Sequence, residues 1–395
     1  LKPMKRVFLI STVGQAKNAI ALAKRLPRPE TQDLFIVLYT VKSPQVVQAK
    51  SFLQSFNAEI AEIALPRMPN SGFPTVVKKV LRAYLEILDK EKVKELWIAN
   101  INTHYAMISS YLQTNNSAIY FYEDGLGSYK NYQELLSYKS PTLIFWDWVR
   151  GFFGELKKIS KRLVKTHKRL FWVTGVAFFS MQWVRWLCGR LLPPPYCYYY
   201  RLHSKFKSVY VSFPDQLDPQ VYNGEINSFD YMKTNREIAK IHQDTKRLFI
   251  EKTSVSSSIF ISQVYGSGTK KWYSTVARVL ASYDNELIYV KFHPKESFEN
   301  RAFFIEELSK SVAEVIDIDP ENTSDANDII AEVSFSKIFG LTSSSLIYAL
   351  KSYSSLPILS LAPTLLQEMR KDPSLTVEYL QLRKDFDTYS RFFKS

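Results

Sequence analysis

Three short polar motifs, each placed directly after an apolar run of strand-forming residues, carry the candidate chemistry of this 395-residue chain. The run Ala118-Ile119-Tyr120-Phe121-Tyr122 ends in Glu123-Asp124-Gly125. The run Leu287–Phe292 ends in His293-Pro294, and a third short run leads into Gly340-Leu341-Thr342-Ser343-Ser344-Ser345. A partly desolvated carboxylate has its pKa raised toward neutrality and can take a proton from an attacking hydroxyl. An imidazole supplies a proton or a positive partner to a departing anion near neutral pH. Lys291 and Lys295 add positive field beside His293, and Pro294 stiffens the turn that holds it. Hydroxyls at a strand-to-helix junction suit a phosphate or carboxylate, because the helix start presents free N–H groups. Open α/β sheets bind ligands at the carboxyl ends of their strands. The three motifs together point to a two-domain transferase acting on an anionic, activated donor.

Each motif also has a plainer reading. Asp124-Gly125 is a turn dipeptide, with Glu123 then facing solvent. His293 can be satisfied by backbone alone. The hydroxyls of Thr342–Ser345 suit a helix N-cap without any ligand. The acidic stretch Asp317 to Glu332 reads as a solvated loop, one carboxylate of which is a candidate for a ribose hydroxyl. No Asp-x-Asp pair closes a strand in a way that demands a divalent metal, so metal-free chemistry is expected.

The elements that must position these residues alternate. Strands are expected at Arg6–Thr12, Leu34–Thr40, Ala58–Leu65, Glu95–Ile101 and Ala118–Tyr122. Between them Gly14-Gln15 reads as a turn, and helices are expected at Ala16–Leu26, Gln45–Phe56, Pro74–Leu88 and Thr103–Thr114. A second alternation has strands at Ser258–Ser262, Leu287–Phe292, Val312–Ile318, Lys337–Gly340 and Pro357–Ala362, with helices at Lys271–Ser282 and Ser344–Lys351. Such alternation means parallel sheets covered on both faces. The expected division is an α/β domain over 1–140, an insert over 141–210, a linker over 211–255, a second α/β domain over 256–365 and a helical tail over 366–395.

The net charge of +14 implies an anionic partner. It is unevenly spread: residues 141–210 hold 13 Lys or Arg against 2 Asp or Glu, so 11 of the 14 net charges lie there, with five of the seven tryptophans. Lys157–Leu170 reads as a basic amphipathic helix. Phe171–Val184 is an uncharged run of 14 residues, short of the about 20 apolar residues a bilayer crossing needs. Basic residues beside Trp and Phe suit an anionic membrane surface, contacted through 157–192. A helical hairpin with a solvated basic face fits the same pattern. A nucleic-acid partner is not expected, because no recognition motif accompanies the charge. Cys188 and Cys197 form neither a disulfide framework nor a metal pattern. The opening residues run straight into a strand, with no signal-peptide pattern.

In combination, six segments resemble the bacterial capsular polysialyltransferases. They are FLISTVGQAKNA at 8–19, NTHYAM at 102–107, IYFYEDGLGSYK at 119–130, IFISQVY at 259–265, VKFHPKE at 290–296 and GLTSSSLIYA at 340–349. The resemblance implies the GT-B architecture, two Rossmann-like domains facing a central cleft. It implies CMP-sialic acid as donor, inversion at the anomeric carbon, and no metal or cofactor. Glu123 then stands where the family has its general base, and His293 where it has the donor-phosphate partner and acid. Gln263, Lys291, Pro294, Thr342, Ser343, Ser344 and Ser345 fall on the donor side. Gly14, Gln15, His104, Asp124 and Gly125 fall on the acceptor side. The implied protein is a peripheral enzyme of capsule synthesis at the cytoplasmic face of a bacterial inner membrane. Its acceptor would be an anionic, sialylated glycan. The 141–208 stretch is longer than the capsular enzymes lead one to expect, which keeps a single-addition enzyme acting on lipooligosaccharide as the alternative.

Overall fold

The computed structural model describes residues 3–42, 44–67, 69, 74–125, 127–129, 190–242, 257–265, 269–293, 295–321, 325–353 and 355–393. Pro294 and most of the basic, tryptophan-rich stretch, 141–189, lie outside the described residues. The chain divides into two compact units, Leu1–Phe229 and Asp230–Ser395.

The first unit is a seven-stranded parallel sheet in the order β3-β2-β1-β4-β5-β6-β7. The strands are β1 Met4–Ile10, β2 Thr31–Tyr39, β3 Glu59–Ala64, β4 Lys92–Ile98, β5 Ala118–Tyr122, β6 Lys205–Val211 and β7 Asn223–Ser228. Helices α1 Val13–Arg25, α2 Pro44–Ser55, α3 Pro74–Leu88 and α4 Thr103–Thr114 connect the first five. One aromatic row fixes the register. Phe35, Phe8, Trp97 and Tyr120 are direct partners on β2, β1, β4 and β5. Their rings stack at centroid distances of 5.1, 5.3 and 4.4 Å. Trp97 is fully buried, and its indole N–H donates to the buried carboxylate of Glu95. A slip of one residue would turn every ring to the opposite face, so this row makes the register unambiguous.

The second unit is a five-stranded parallel sheet in the order β10-β9-β8-β11-β12. Its strands are β8 Ser257–Ile261, β9 Leu287–Lys291, β10 Glu314–Asp317, β11 Lys337–Gly340 and β12 Ile358–Ser360. Its helices are α5 Tyr231–His242, α6 Lys270–Ala281, α7 Phe298–Leu308, α8 Ala326–Glu332, α9 Ser344–Ser352, α10 Ala362–Met369 and α11 Thr376–Tyr389. Both sheets share one pattern: the first three strands run outward in one direction, and the chain then returns to the other side of the first strand. This is the Rossmann order. The expected α/β class, with two Rossmann-like domains, is what the chain forms.

Several elements differ from the sequence reading. Gly14 and Gln15 are the first turn of α1 rather than a turn preceding a helix, because Thr12 caps that helix by accepting the Gln15 N–H at 3.1 Å. Residues 205–228 supply two strands of the first sheet. β6 alternates as a strand should, but its lysines continue the basic stretch before it; β7 is a polar edge strand without an apolar signal. The acidic stretch 317–332 is only partly a solvated loop. Asp317 closes β10 and pairs with Arg301, Asp319 is buried against Lys291, and α8 buries Ile329 and Ile330 behind an Asp325 cap.

Trp97→Ala removes the centre of the aromatic row and one donor to the Glu95 carboxylate, which keeps the Tyr120 hydroxyl and Arg28. It is expected to cost about 3–5 kcal/mol of stability, read as a lowered urea midpoint with unchanged m-value.

Candidate active site

The acceptor-side candidates gather at the carboxyl edge of the first sheet. Its strand order reverses between β1 and β4, so the chains leaving these two strands diverge and open a crevice. Side chains span that gap. Ser11, just past β1, shares a 2.5 Å hydrogen bond with the Tyr105 hydroxyl from the start of α4. The Gln15 side-chain oxygen accepts from the Ser11 backbone N–H at 2.6 Å and from the Ser11 hydroxyl at 3.2 Å. That leaves the Gln15 amide to donate to the Asp124 carboxylate. Gln15 thus ties the β1 turn to the motif at the end of β5.

Glu123 is fully buried. One carboxylate oxygen accepts the Ser212 backbone N–H at 2.5 Å, just past β6, and its carbonyl accepts from the Asn18 amide at 3.0 Å. The following loop is pinned to the same region. Tyr222 donates to the Ser128 carbonyl at 2.8 Å, and the Phe213 N–H donates to Tyr129 at 2.9 Å. Gly125 has φ of +72°, a conformation that costs glycine little and a side-chain-bearing residue much more. This turn brings the Asp124 N–H onto the Ser128 hydroxyl at 3.0 Å. Asp124 is half-buried, and that burial pushes its carboxyl up to about 6 against the opposing hydrogen bond from Gln15.

His104 takes a different place from an exposed ligand group. It is buried, shares a 2.8 Å hydrogen bond with Tyr84, and lies 4.3 Å from the Tyr105 ring. Burial takes its pKa down to about 4, so the ring is neutral and supports Tyr105. Thr103, beside it, holds φ of +49°, a strained backbone for a β-branched residue. Gly14 is exposed on the first turn of α1.

The donor-side candidates occupy the matching edge of the second sheet. Here the order reverses between β8 and β11. The Gln263 side-chain oxygen, past β8, accepts the Thr342 backbone N–H, past β11, at 2.6 Å. Thr342 is buried, and its hydroxyl lies 2.6 Å from that of Tyr265. Ser343 caps α9 by accepting the Ser345 N–H at 3.2 Å, so its own hydroxyl proton is left to donate elsewhere. Ser344 is half-buried and Ser345 buried.

His293 follows β9 and is half-exposed. Its Nδ1 accepts the Lys295 N–H at 3.1 Å, which places the proton of the neutral ring on Nε2. Burial, then Lys295 and Lys291, lower its pKa below the ordinary histidine value. Lys291 is itself buried, 3.1 Å from both the Asp319 carboxylate and the Phe292 carbonyl. Three residues past His293, Glu296 is buried against the Tyr273 hydroxyl, and burial raises its carboxyl to about 7. Among the described residues, no three His, Cys, Asp or Glu side chains gather as a metal set.

The structure therefore joins Gln15 with Asp124, and Gln263 with Thr342. It adds partners that sequence reasoning passed over: Ser11, Tyr105, Ser212 and Tyr265. Ser11 and Tyr105 lie inside the quoted motifs, and their polar character was the available signal. Ser212 acts through its backbone, which no residue type announces.

The sequence matches the family model for alpha-2,8-polysialyltransferase (POLYST) over residues 6–361. No curated protein matches the chain. Among solved structures it is similar to the UDP-GlcNAc 2-epimerase from Neisseria meningitidis bound to UDP-GlcNAc, at 10% identity and TM-score 0.49, covering 98% of this chain and 96% of that one. A glycosyltransferase from Rickettsia africae is similar at 12% identity and TM-score 0.43, covering 100% of both chains. A putative UDP-N-acetylglucosamine 2-epimerase from Listeria monocytogenes is similar at 12% identity and TM-score 0.44, covering 98% of this chain and 88% of that one.

The raised carboxyl of Asp124 carries a stability signature. The unfolded group ionises near the ordinary aspartate value of 3.8, the folded one near 6. Folding therefore favours the protonated form, and Asp124 destabilises the native state increasingly as pH rises through that window. Asp124→Asn is expected to raise the melting temperature at pH 8 and to change it less at pH 4, where the acid is already neutral. Equal shifts at the two pH values would remove Asp124 from the role of a desolvated carboxylate.

Proposed function

The chain belongs to the alpha-2,8-polysialyltransferase family, and on that premise we propose that it is an inverting, metal-independent enzyme moving sialic acid from CMP-sialic acid to a sialylated glycan. The observation that carries this reading is the placement of the Glu123-Asp124 pair. It stands at a strand's carboxyl edge, held by the Ser212 N–H and the Gln15 amide, in a chain whose second sheet presents His293 and a hydroxyl-rich helix start at its own carboxyl edge.

In the proposed reaction the acceptor hydroxyl attacks C2 of the sialyl group while the C2–O bond to phosphate breaks. The bonding pair leaves with CMP, and the hydroxyl proton passes to Glu123. The charge developing on the phosphate is met by hydrogen bonds, which act most strongly in a water-poor site. His293 offers Nε2–H, and Ser343 and Ser344 offer hydroxyls. With its pKa lowered, His293 starts neutral and acts first as a hydrogen-bond donor. An anionic phosphate alongside favours the charged ring and so moves it back toward proton donation. Asp124 and Gln15 orient the acceptor. The reaction so written needs no cofactor.

The excess of basic residues and tryptophans within 141–210 supports attachment to an anionic membrane surface, from the cytoplasmic side in a capsule-forming bacterium. No helix of the described residues is long and apolar enough to cross a membrane.

Glu123→Gln keeps an oxygen for the Ser212 N–H but cannot take a proton. Transfer from CMP-sialic acid to a fluorescent oligosialyl acceptor is expected to fall about 10²–10⁴-fold, with CMP affinity preserved; transfer at the wild-type rate would exclude Glu123 as base. The same assay should give a ladder of products, and a single added residue would move the acceptor assignment to the single-addition class. Replacing the Trp, Lys and Arg residues of 157–190 is expected to release the protein from phosphatidylglycerol vesicles while transfer to a soluble acceptor continues. Co-sedimentation of the altered protein would overturn the membrane assignment.

A further inference from the structure

The helix α11 at the end of the second unit contributes side chains to a hydrogen-bonded chain that ends in the donor-side turn. Glu378, Leu382 and Asp385 are spaced four and three residues apart, which puts them on one face of a helix. Leu382 is fully buried in the core formed by Trp272, Val276 and Leu365. Glu378 is buried and accepts from the Thr269 hydroxyl at 3.4 Å, while Thr269 caps α6. One helical face thus holds the start of α6. Asp385, on the same face, is placed to accept from the Tyr265 hydroxyl, and Tyr265 lies 2.6 Å from the Thr342 hydroxyl.

The chemistry of these groups sets a direction. A carboxylate only accepts, so the Tyr265 O–H donates to Asp385. The Tyr265 oxygen is then an acceptor, and the Thr342 O–H donates to it. The Thr342 N–H is already committed to Gln263. Both donors of Thr342 are used within the protein, and the residue is buried. Thr342 therefore serves to fix the turn between β11 and α9, and the next residues, Ser343 and Ser344, are the ones free to meet an anion.

We propose that Asp385 is a positioning residue for the donor nucleotide: acting through Tyr265 and Thr342, the last helix holds the turn that presents Ser343 and Ser344. This deepens the donor reading given above and rests on it. It accounts for a polar tyrosine–aspartate pair kept beside an apolar core, where burial without a partner would be costly.

The experiment uses the full chain and CMP as probe. Asp385→Ala and Tyr265→Phe each remove one link and are expected to weaken CMP binding about 3–10-fold, the scale of one net hydrogen bond. The KM for CMP-sialic acid should rise by the same factor with kcat changed less than twofold. Asp385→Asn keeps an acceptor and should restore most of the affinity, and Val377→Ala, on the exposed side of the same helix, should leave it unchanged. Amide exchange at residues 341–346 should quicken in Asp385→Ala without any ligand, which tests the mechanical link by itself. Wild-type CMP affinity in both Asp385→Ala and Tyr265→Phe, or unaltered exchange at this turn, overturns the proposal. A wild-type protein that does not bind CMP overturns the donor reading instead, while quickened exchange still supports the link from α11 to the turn.

Discussion

Where the strand order of a parallel sheet reverses, the two central strands stay paired but the chains that leave them part. No ladder hydrogen bond can close the space beyond the last residue of each strand, so side chains must do it. Here both reversals are bridged in the same way, by a glutamine and a hydroxyl residue. In the first unit Gln15 grips Ser11, which reaches Tyr105 across the gap. In the second, Gln263 grips the Thr342 backbone, and Tyr265 reaches the Thr342 hydroxyl. Every candidate residue that bears on the proposed chemistry is attached to one of these bridges or follows the strand next to it.

The bridges matter because they fix charge as well as shape. A carboxyl group shielded from water holds its proton to higher pH, and at Asp124 the Gln15 amide only partly offsets this, leaving its pKa near 6. Glu123, its neighbour, receives a backbone N–H instead. Adjacent carboxyls thus sit in distinct settings, the arrangement by which proteins separate acid–base roles. On the other sheet, burial and then Lys295 and Lys291 lower the pKa of His293, and the Lys295 N–H selects its tautomer. Lys291 acts on that ring from within the protein, because Asp319 holds its ammonium.

The periodic part of the fold was legible. β5, α3, α4 and β11 have the bounds that apolar pattern and capping residues suggest, since a buried parallel strand and an amphipathic helix each leave a local signature. Elements whose stability comes from distant partners left less. β7 is a polar edge strand that exists because β6 offers it hydrogen-bonding groups, and Gly224 lets it come close enough for an added Cβ to fall 2.4 Å from the Phe206 carbonyl. α8 is short and acidic, and it forms because Ile329 and Ile330 have a core to enter. Among candidate site residues, Glu123, Asp124, Gly125 and His293 were visible because functional groups at strand ends stand out against apolar runs.

The sequence by itself determined the two alternations, the family motifs and the residue types available at each strand end, because these depend on local periodicity and side-chain chemistry. Tertiary structure decided which of those side chains are exposed and which are buried. It made His104 a neutral core ring, committed Lys291 to Asp319 and sealed Thr342 behind Tyr265. It also recruited Ser212 and Asp385 from far along the chain. Burial and partnership are properties of three-dimensional packing, and the field at a titratable group is the sum over neighbours that the linear order does not name.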